Sequence, residues 1–381
     1  MAAHKVLFLT LKTFGFTGGI EKVGRVVCRA LYDLNVEGVI EPIVHCMYDK
    51  NYERDSKYLK KSQFKGFNGN RKKFVLWSLY KGIRADVVIL SHINLLSVGY
   101  LIKRYRPATR VYLIAHGIEI WRKLPEPKIR ALLRLDKIIA VSEYTAGMIR
   151  TAHKIDPNKI EVLNNCIDPF FAIPNTFDRP EFLMKRYGLS EDQTILFSLS
   201  RLSSSEKYKG YDHTMEILPR LIKKRPKLVY LLGGKYDQQE KKRLDKLIAK
   251  YKIADHVKFI GFVDEAEVTD HFLLSDVFIM PSKKEGFGIV FIEAMVCGLR
   301  VIAGNKDGSV DALHGGELGT LVDPDDLNEI EHALTGLLDY PIHIEEKKAL
   351  QAKTLHIFNF EKYRDSIKNM IVYGTTYFWL I

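Results

Sequence analysis

Short apolar runs, each only a few residues long, recur through nearly the whole chain and alternate with longer segments of helical period. A run too short for a helix, followed by an amphipathic stretch of helix length, is a βα unit, and repeated units build a parallel sheet with helices on both faces. One series of runs occupies Val6–Thr10, Ile40–Cys46, Asp86–Ser91, Val111–His116, Lys137–Ser142 and Ile160–Leu163. From Asp168 to Pro180 the rhythm stops, with prolines at 169, 174 and 180 and no regular period. A second series follows at Ile195–Ser200, Leu228–Leu232, Val257–Phe262, Val277–Met280 and Val301–Ala303, with helical segments at Tyr211–Lys224 and Gln238–Tyr251. The fold class expected is α/β, with two doubly wound, Rossmann-like parallel-sheet domains. We place them at residues 1–172 and 173–358, leaving a C-terminal helix and tail, 359–381, to pack back on the first domain. The length of 381 residues suits two domains of about 150 each.

Open parallel sheets bind ligands beyond the carboxyl ends of their strands, and two facing sheets put a cleft between those ends. Motifs therefore belong just after strands. In the first series Gly15–Gly19, His116-Gly117 and Ser142 hold such positions, and in the second Arg201, Gly233-Gly234, Gly261 and Glu285-Gly-Phe-Gly288 do.

Other classes are disfavoured. The four cysteines, 28, 46, 166 and 297, show no paired spacing, which argues against a disulfide framework or a zinc knuckle and fits a reducing cytoplasm. No stretch of about 20 apolar residues exists: Val87 to Ile102 contains His92 and Asn94, and the uncharged tail from Met370 is too short to span. The net charge of +12 admits a nucleic-acid binder, yet no zinc finger, RNA-recognition signature or helix-turn-helix is found.

The sharpest chemical feature is Pro281 to Met295, in which Glu285 lies in a Gly-rich loop and Glu293 falls early in the following helix. The loop glycines let backbone N–H groups approach an anion at that helix start, while the carboxylates accept hydrogen bonds from hydroxyl groups. This combination suits a sugar nucleotide. A second cluster, Arg201 with Lys207, Lys209 and Gly210, would neutralise charge growing on a departing diphosphate. Asp323-Pro-Asp325 matches D-x-D as a string, but an Asp before Pro at a helix start reads better as an N-terminal cap.

These motifs, with Gly18-Gly19-Ile20-Glu21, Asn165 to Asp168 and Gly319 to Pro324, resemble the retaining glycosyltransferases of family 4, whose fold is GT-B. The resemblance covers nearly the whole chain. It implies that Arg201 and Lys209 grip the donor diphosphate, that Glu285 serves the transferred sugar and Glu293 the ribose, and that His116 lies beside the reacting sugar. It also implies donor contacts from Gly18, Gly19, Ser142, Phe287, Gly288, Ile289 and Val290, with base recognition near Gly261 and Phe262. In this scheme no metal or other cofactor is required. Three departures stand out: Arg300 replaces a usual proline and adds a cation near the donor cleft, Asp311 replaces a glutamate, and Ser203 to Tyr208 lengthens the Arg201 loop. The lengthened loop admits GDP-mannose, and UDP-hexoses stay open. The activity implied is transfer of a hexose to a glycan or lipid-linked glycan in cell-surface polysaccharide synthesis. Nucleotide-sugar epimerisation or phosphorolysis on the same fold are the alternatives.

The charge is lopsided. Residues 1–172 carry 29 basic and 15 acidic side chains, so the excess lies entirely in the half that the resemblance assigns to the acceptor. Lys50 to Arg84 holds eleven basic residues against Glu53 and Asp55, and there Leu76, Leu79, Tyr80 and Ile83 make a helical stripe beside Phe74 and Trp77. A basic amphipathic helix is a membrane-surface element, although the aliphatic face of this stripe is expected to pack on the domain's own sheet. The partners expected are therefore a nucleotide sugar, a glycan acceptor and an anionic membrane surface, with the protein cytoplasmic and peripheral to the inner face of the cytoplasmic membrane.

Overall fold

The computed structural model describes residues 3–376. Two compact units are present, one formed by the chain up to Pro169 together with the segment from Phe358, the other by Phe170–Ile357. The first carries β1 (His4–Thr10), β2 (Ile40–Cys46), β3 (Phe64–Gly66), β4 (Val87–Leu90), β5 (Arg110–Ala115), β6 (Lys137–Ala140) and β7 (Ile160–Val162) in the order β3-β2-β1-β4-β5-β6-β7. The second carries β8 (Thr194–Leu199), β9 (Leu228–Gly233), β10 (Val257–Gly261), β11 (Val277–Met280), β12 (Arg300–Gly304) and β13 (Thr320–Val322) in the order β10-β9-β8-β11-β12-β13. Every pairing in both sheets is parallel.

Both faces of each sheet are covered by helices, which is why central strands such as Val87–Leu90 and Val277–Met280 are apolar at every position and buried throughout. The edge strands β3 and β13 are three residues long and were not anticipated as strands. An aspartate stands just before three of the apolar runs, and its carboxylate accepts from the first N–H groups of a neighbouring strand. Asp86 takes Lys5 N at 2.9 Å, Asp136 takes Val111 N at 2.7 Å and Asp276 takes Ile195 N at 2.7 Å. These bonds satisfy amide donors that the ladder leaves open at its amino end.

Strand order reverses between β1 and β4 in the first sheet and between β8 and β11 in the second. Loops that leave adjacent strands in opposite directions there open a crevice at the carboxyl ends, and this positions the candidate site. In the first unit the C-terminal helix Phe360–Tyr373 packs against the helix Gly19–Val36 and β1. Lys368 Nζ reaches Glu37 at 3.2 Å, and Glu161, nearly buried, accepts from Thr376 N at 2.6 Å and Lys137 Nζ at 2.6 Å.

Candidate active site

In the second unit the loops after β8 and β11 are sewn together. Gly210 has φ +79°, and a methyl group there would lie 2.3 Å from the Pro281 carbonyl oxygen, so only glycine allows this approach. Lys283 N donates to Tyr208 O at 2.9 Å. The result is that Lys209 Nζ donates to Glu285 Oε1, with both side chains largely buried. Burial works against the lysine charge, but Glu285 beside it prevails and holds Lys209 above its ordinary pKa. A fixed cation and a carboxylate thus stand together at the carboxyl end of the sheet.

Behind Glu285 sits a residue that no sequence motif flagged. Asp307 is fully buried and accepts three hydrogen bonds, from Ser282 Oγ at 2.7 Å, Glu285 N at 2.7 Å and Ser309 N at 2.9 Å. Burial, with the Glu285 charge adding to it, pushes this carboxyl up to about 6. The glutamate loop is also fixed from the other side. Gly288, at φ +88°, opens the helix Ile289–Val296, and a methyl group there would meet the Phe291 ring at 2.4 Å. Phe291 packs edge-on against Phe278, which contacts Phe197 and Phe272. Contacts of this kind add about 0.5–1.5 kcal/mol each beyond their buried area. Phe287 is buried as well, Ile289 and Val290 form the half-buried first turn, and Glu293 is buried on the same helix rather than exposed on its surface.

The remaining residues expected on the donor side follow strands at the same sheet end. Arg201 is largely exposed and pairs with Glu206 at 2.5 Å. Ser200 Oγ and Glu206 Oε2 beside it are buried without a hydrogen-bond partner, so polar capacity is left unused. The lengthened loop is pinned by Asp237, which accepts from Ser204 N at 2.7 Å and Glu240 N at 2.7 Å and is held at about 2 chiefly by those amides. Gly234 adopts φ +129°, and its N–H bonds Gly261 O at 2.6 Å. Gly261 itself has φ +73° with open space around it, and Phe262 next to it is exposed beneath Lys235 Nζ at 4.8 Å.

Two expectations need correction. Arg300 is not near the residues expected to bind the donor: it begins β12, at the amino end of the sheet, and donates to the Tyr340 carbonyl at 2.6 Å. The helix cap is Asp326, which accepts from Asn328 N and Glu329 N, whereas Asp323 and Asp325 are paired with Lys306 and Lys283. Asp311 lies in the short helix Ser309–Ala312. No group of three or more His, Cys, Asp or Glu residues with metal-site geometry occurs among the described residues.

In the first unit, His116 follows β5 and places Nε2 2.8 Å from the Ser91 carbonyl oxygen. Nε2 must carry the proton and donate, which leaves the Nδ1 lone pair free of that bond. Burial depresses the His116 pKa against the opposing pull of Glu119 and the Ser91 carbonyl, so the ring is neutral. Glu119 accepts from both His116 N at 2.6 Å and Gly117 N at 3.2 Å, and Gly117 takes φ +140°. Ser142, fully buried, caps the helix Glu143–His153 by accepting from Thr145 N at 3.0 Å. Gly18 precedes and Gly19 begins the helix Gly19–Val36, and Gly19 faces open space where a side chain would project. Their loop is held by another unflagged buried aspartate, Asp49, which accepts from Thr13 N at 2.9 Å and Phe14 N at 2.8 Å.

Residues 17–170 match the family model described as Glycosyltransferase Family 4, and residues 180–354 match the one described as Glycosyl transferases group 1. The chain belongs to glycosyltransferase family 4. The GDP-mannose-dependent alpha-(1-6)-phosphatidylinositol monomannoside mannosyltransferase of Mycobacterium tuberculosis is 35% identical over 251 residues, covering 62% of this chain and 62% of that one. Its counterpart in Mycolicibacterium smegmatis is 32% identical over 249 residues, covering 61% and 62%. The match therefore spans less than two thirds of either relative's length. Among solved structures, Anabaena Alr3699/HepE in complex with UDP and glucose superposes with a TM-score of 0.75 at 18% identity, over 97% of this chain and 99% of that one. WaaG, a glycosyltransferase involved in lipopolysaccharide biosynthesis, superposes with a TM-score of 0.66 at 16% identity, over 96% and 99%. These likenesses establish that the family 4 chain has the GT-B fold.

Proposed function

We propose that the chain transfers a hexose from a nucleoside diphosphate sugar to a hydroxyl of a glycan or lipid-linked glycan, with retention of anomeric configuration, in cell-surface polysaccharide assembly. The observation that carries this reading is the Lys209–Glu285 pair, held by Asp307 next to the Gly288 helix start. In the reaction the bond from the anomeric carbon to the phosphate oxygen breaks, and a bond to the acceptor oxygen forms. The acceptor proton leaves with the diphosphate. Lys209 and Arg201 stabilise the charge that grows on the departing diphosphate, and the backbone N–H groups after Gly288 add the positive end of a helix. Glu285 accepts from sugar hydroxyls and Glu293 serves the ribose. His116, neutral with Nε2 tied to Ser91, is assigned to the reacting sugar, and Gly18, Gly19 and Ser142 shape its surroundings. Because fixed cations do the neutralising, the reading needs no metal.

GDP-mannose is the donor we favour, because the two mannosyltransferases compared above are named as GDP-mannose-dependent; UDP-hexoses are the second choice, since HepE was solved with UDP. A lipid-linked acceptor accords with the phosphatidylinositol mannoside in those relatives' names. An anionic membrane surface is the further partner, with the protein peripheral to the cytoplasmic leaflet. The helix Arg71–Gly82 supports this: it buries Phe74 and half-buries Leu79, but Leu76, Trp77 and Tyr80 face outward among Lys72, Lys73 and Lys81. No helix among the described residues is long and apolar enough to cross a membrane. The test is a thermal-shift panel of nucleotides and nucleotide sugars, because a ligand bound only by the folded chain raises its melting temperature. GDP and GDP-mannose should give the largest shifts, and no shift with any nucleoside diphosphate would remove the donor site.

A further inference from the structure

At the amino ends of β1 and β2, the far end of the first sheet from the Gly15–Gly19 loop, lies a cavity of about 500 Å3. Its floor includes Val6 and Pro42, and its walls carry Lys5, Lys60, Lys81 and Arg84 against the single acid Glu41. Among the described residues none of these four cations forms an ion pair, a condition shared with exposed cations elsewhere in the unit such as Lys72 and Lys73, and what sets the four apart is that they line one cavity. Four like charges around one cavity repel each other, and an anion placed among them relieves that repulsion. The helix Arg71–Gly82 ends at this cavity, and the negative pole of its dipole would oppose an anion. That pole is covered: Arg84 Nη1 donates to Tyr80 O at 2.9 Å, Arg84 N to Lys81 O at 3.0 Å and Arg106 Nη1 to Ile83 O at 3.1 Å.

The rim of the cavity continues into an exposed aromatic edge. The Arg84 guanidinium lies 3.9 Å from the Tyr80 ring centroid, Tyr80 packs edge-on against Trp77 at 6.0 Å, and Lys65 Nζ stands 3.5 Å over the Trp77 ring. Trp77 is 43% exposed, Tyr80 48% and Leu76 67%. Tyrosine and tryptophan with cations beside them favour the boundary between lipid headgroups and water. We infer that this cavity binds the phosphate headgroup of an anionic phospholipid while the outer edge of the Arg71–Gly82 helix lies in the interface. The inference rests on the membrane reading above and adds to it a defined headgroup site, at the opposite end of the first sheet from the Gly15–Gly19 loop.

The test is co-sedimentation of the full chain with vesicles of phosphatidylcholine alone or with about 30% phosphatidylglycerol, at near-physiological salt. One variant carries Lys5→Gln, Lys60→Gln and Arg84→Gln; a control removes the same charge from exposed positions of the second unit, Lys223→Gln, Lys224→Gln and Lys250→Gln. The cavity variant should weaken binding to anionic vesicles by about tenfold and the control by less than about twofold. Millimolar glycerol 1-phosphate should compete with the vesicles for the wild type and not for the cavity variant, and turnover on a water-soluble acceptor should be unchanged. Arg84→Gln alone, a rim change with little reach into the fold, should act in the same direction. Equal losses in both triple variants, or none in either, overturn the headgroup site while leaving membrane binding in place. Wild type that ignores anionic vesicles overturns both. A phosphate that binds the cavity while vesicle binding ignores the cavity variant overturns the lipid as its source.

Discussion

Replacing Asp307 with asparagine preserves the shape of the group behind the Glu285 loop and removes only its ability to ionise. In the wild type Oδ2 accepts from Ser282 Oγ and Glu285 N, and Oδ1 from Ser309 N. An amide can keep its oxygen toward the first two donors, but its NH2 then faces the Ser309 N–H and leaves that buried donor unpaired, which costs about 1–3 kcal/mol. Against this stands a gain. The folded carboxyl titrates at about 6 against 3.8 for an ordinary aspartate, because burial and the Glu285 charge oppose its ionisation. A raised carboxyl contributes stability that is complete below its unfolded value and is lost as the pH rises through the folded one, here between roughly pH 4 and 6. At pH 7 the loss is about 3 kcal/mol and at pH 5 about half that, so between these two values the wild type loses roughly 1 kcal/mol that Asp307→Asn does not. The hydrogen-bond cost is the same at both pH values and cancels in this difference. Trp77 and Trp121 lie in the first unit and report the wrong one, but Cys297 is buried and is the lone cysteine of the second. Its labelling by a dithiodipyridine reagent in graded urea, followed by peptide mass spectrometry, measures opening of that unit at each pH. Identical pH dependence in the two proteins would refute the electrostatic account of Asp307.

Glu285→Gln should lower turnover by roughly 100-fold or more, because it removes charge at the reacting sugar, and should also lower the melting temperature, because the buried Lys209 cation loses its carboxylate while the backbone N–H at 285 stays bonded to Asp307; normal turnover with any donor returns Glu285 to a structural role. His116→Ala should reduce turnover comparably while GDP still shifts the melting temperature, and a lost GDP shift would show that the ring holds the donor instead. Extensive chelation followed by assay should leave activity within about twofold, since Lys209 and Arg201 supply the neutralising charge; activity restored only by added divalent metal contradicts that. Neutralising Lys72, Lys73 and Lys81 together should weaken binding to anionic vesicles, with a smaller difference from wild type at high salt; sedimentation unchanged at low salt returns this helix face to the ordinary solvated surface.

What could be read from the chain follows from which groups leave a periodic trace. Central strands of a parallel sheet are buried on both faces, so Val277–Met280 stands out as an apolar run with the bounds observed, and Ile40–Cys46 was bounded correctly although Glu41 is exposed. The edge strands β3 and β13 do not, since each has only one buried residue, whereas the equally short edge strand β7 buries two of its three and was marked at Ile160–Leu163. Glu285 was recognisable through its glycine neighbours and Lys209 through Gly210. Asp307 and Asp49 were not, because a carboxylate that accepts backbone N–H groups needs no particular neighbour and announces itself only when the loops are closed around it. The Asn305 to Gly308 stretch after β12 offered one clue, an Asp-Gly pair of the kind that marks a turn. The placing of Arg300 beside the donor failed for a related reason: the residue before an apolar run sits at the amino end of its strand, and in a parallel sheet every ligand-facing loop is at the other end.

The charge asymmetry also looks different once the units are known. Residues 358–376 join the first unit with three basic and two acidic side chains, so that unit holds 32 basic against 17 acidic residues, a balance of +15, and the second holds 26 against 29, a balance of −3. A positive domain can spend its excess in two ways: in ion pairs that support the fold, or in cations left open to an anionic partner. Both occur here. Lys103 and Lys137 back onto carboxylates that cap or close the sheet, whereas Lys5, Lys60, Lys81 and Arg84 line one cavity and form no ion pair among the described residues. Binding the nucleotide sugar needs none of these four, since the proposed diphosphate contacts come from a unit whose net charge is slightly negative and depend on two well-placed cations rather than on a general field. The excess charge of the first unit is therefore not called for by the proposed diphosphate contacts, and the proposed anionic membrane surface would give it a use of its own.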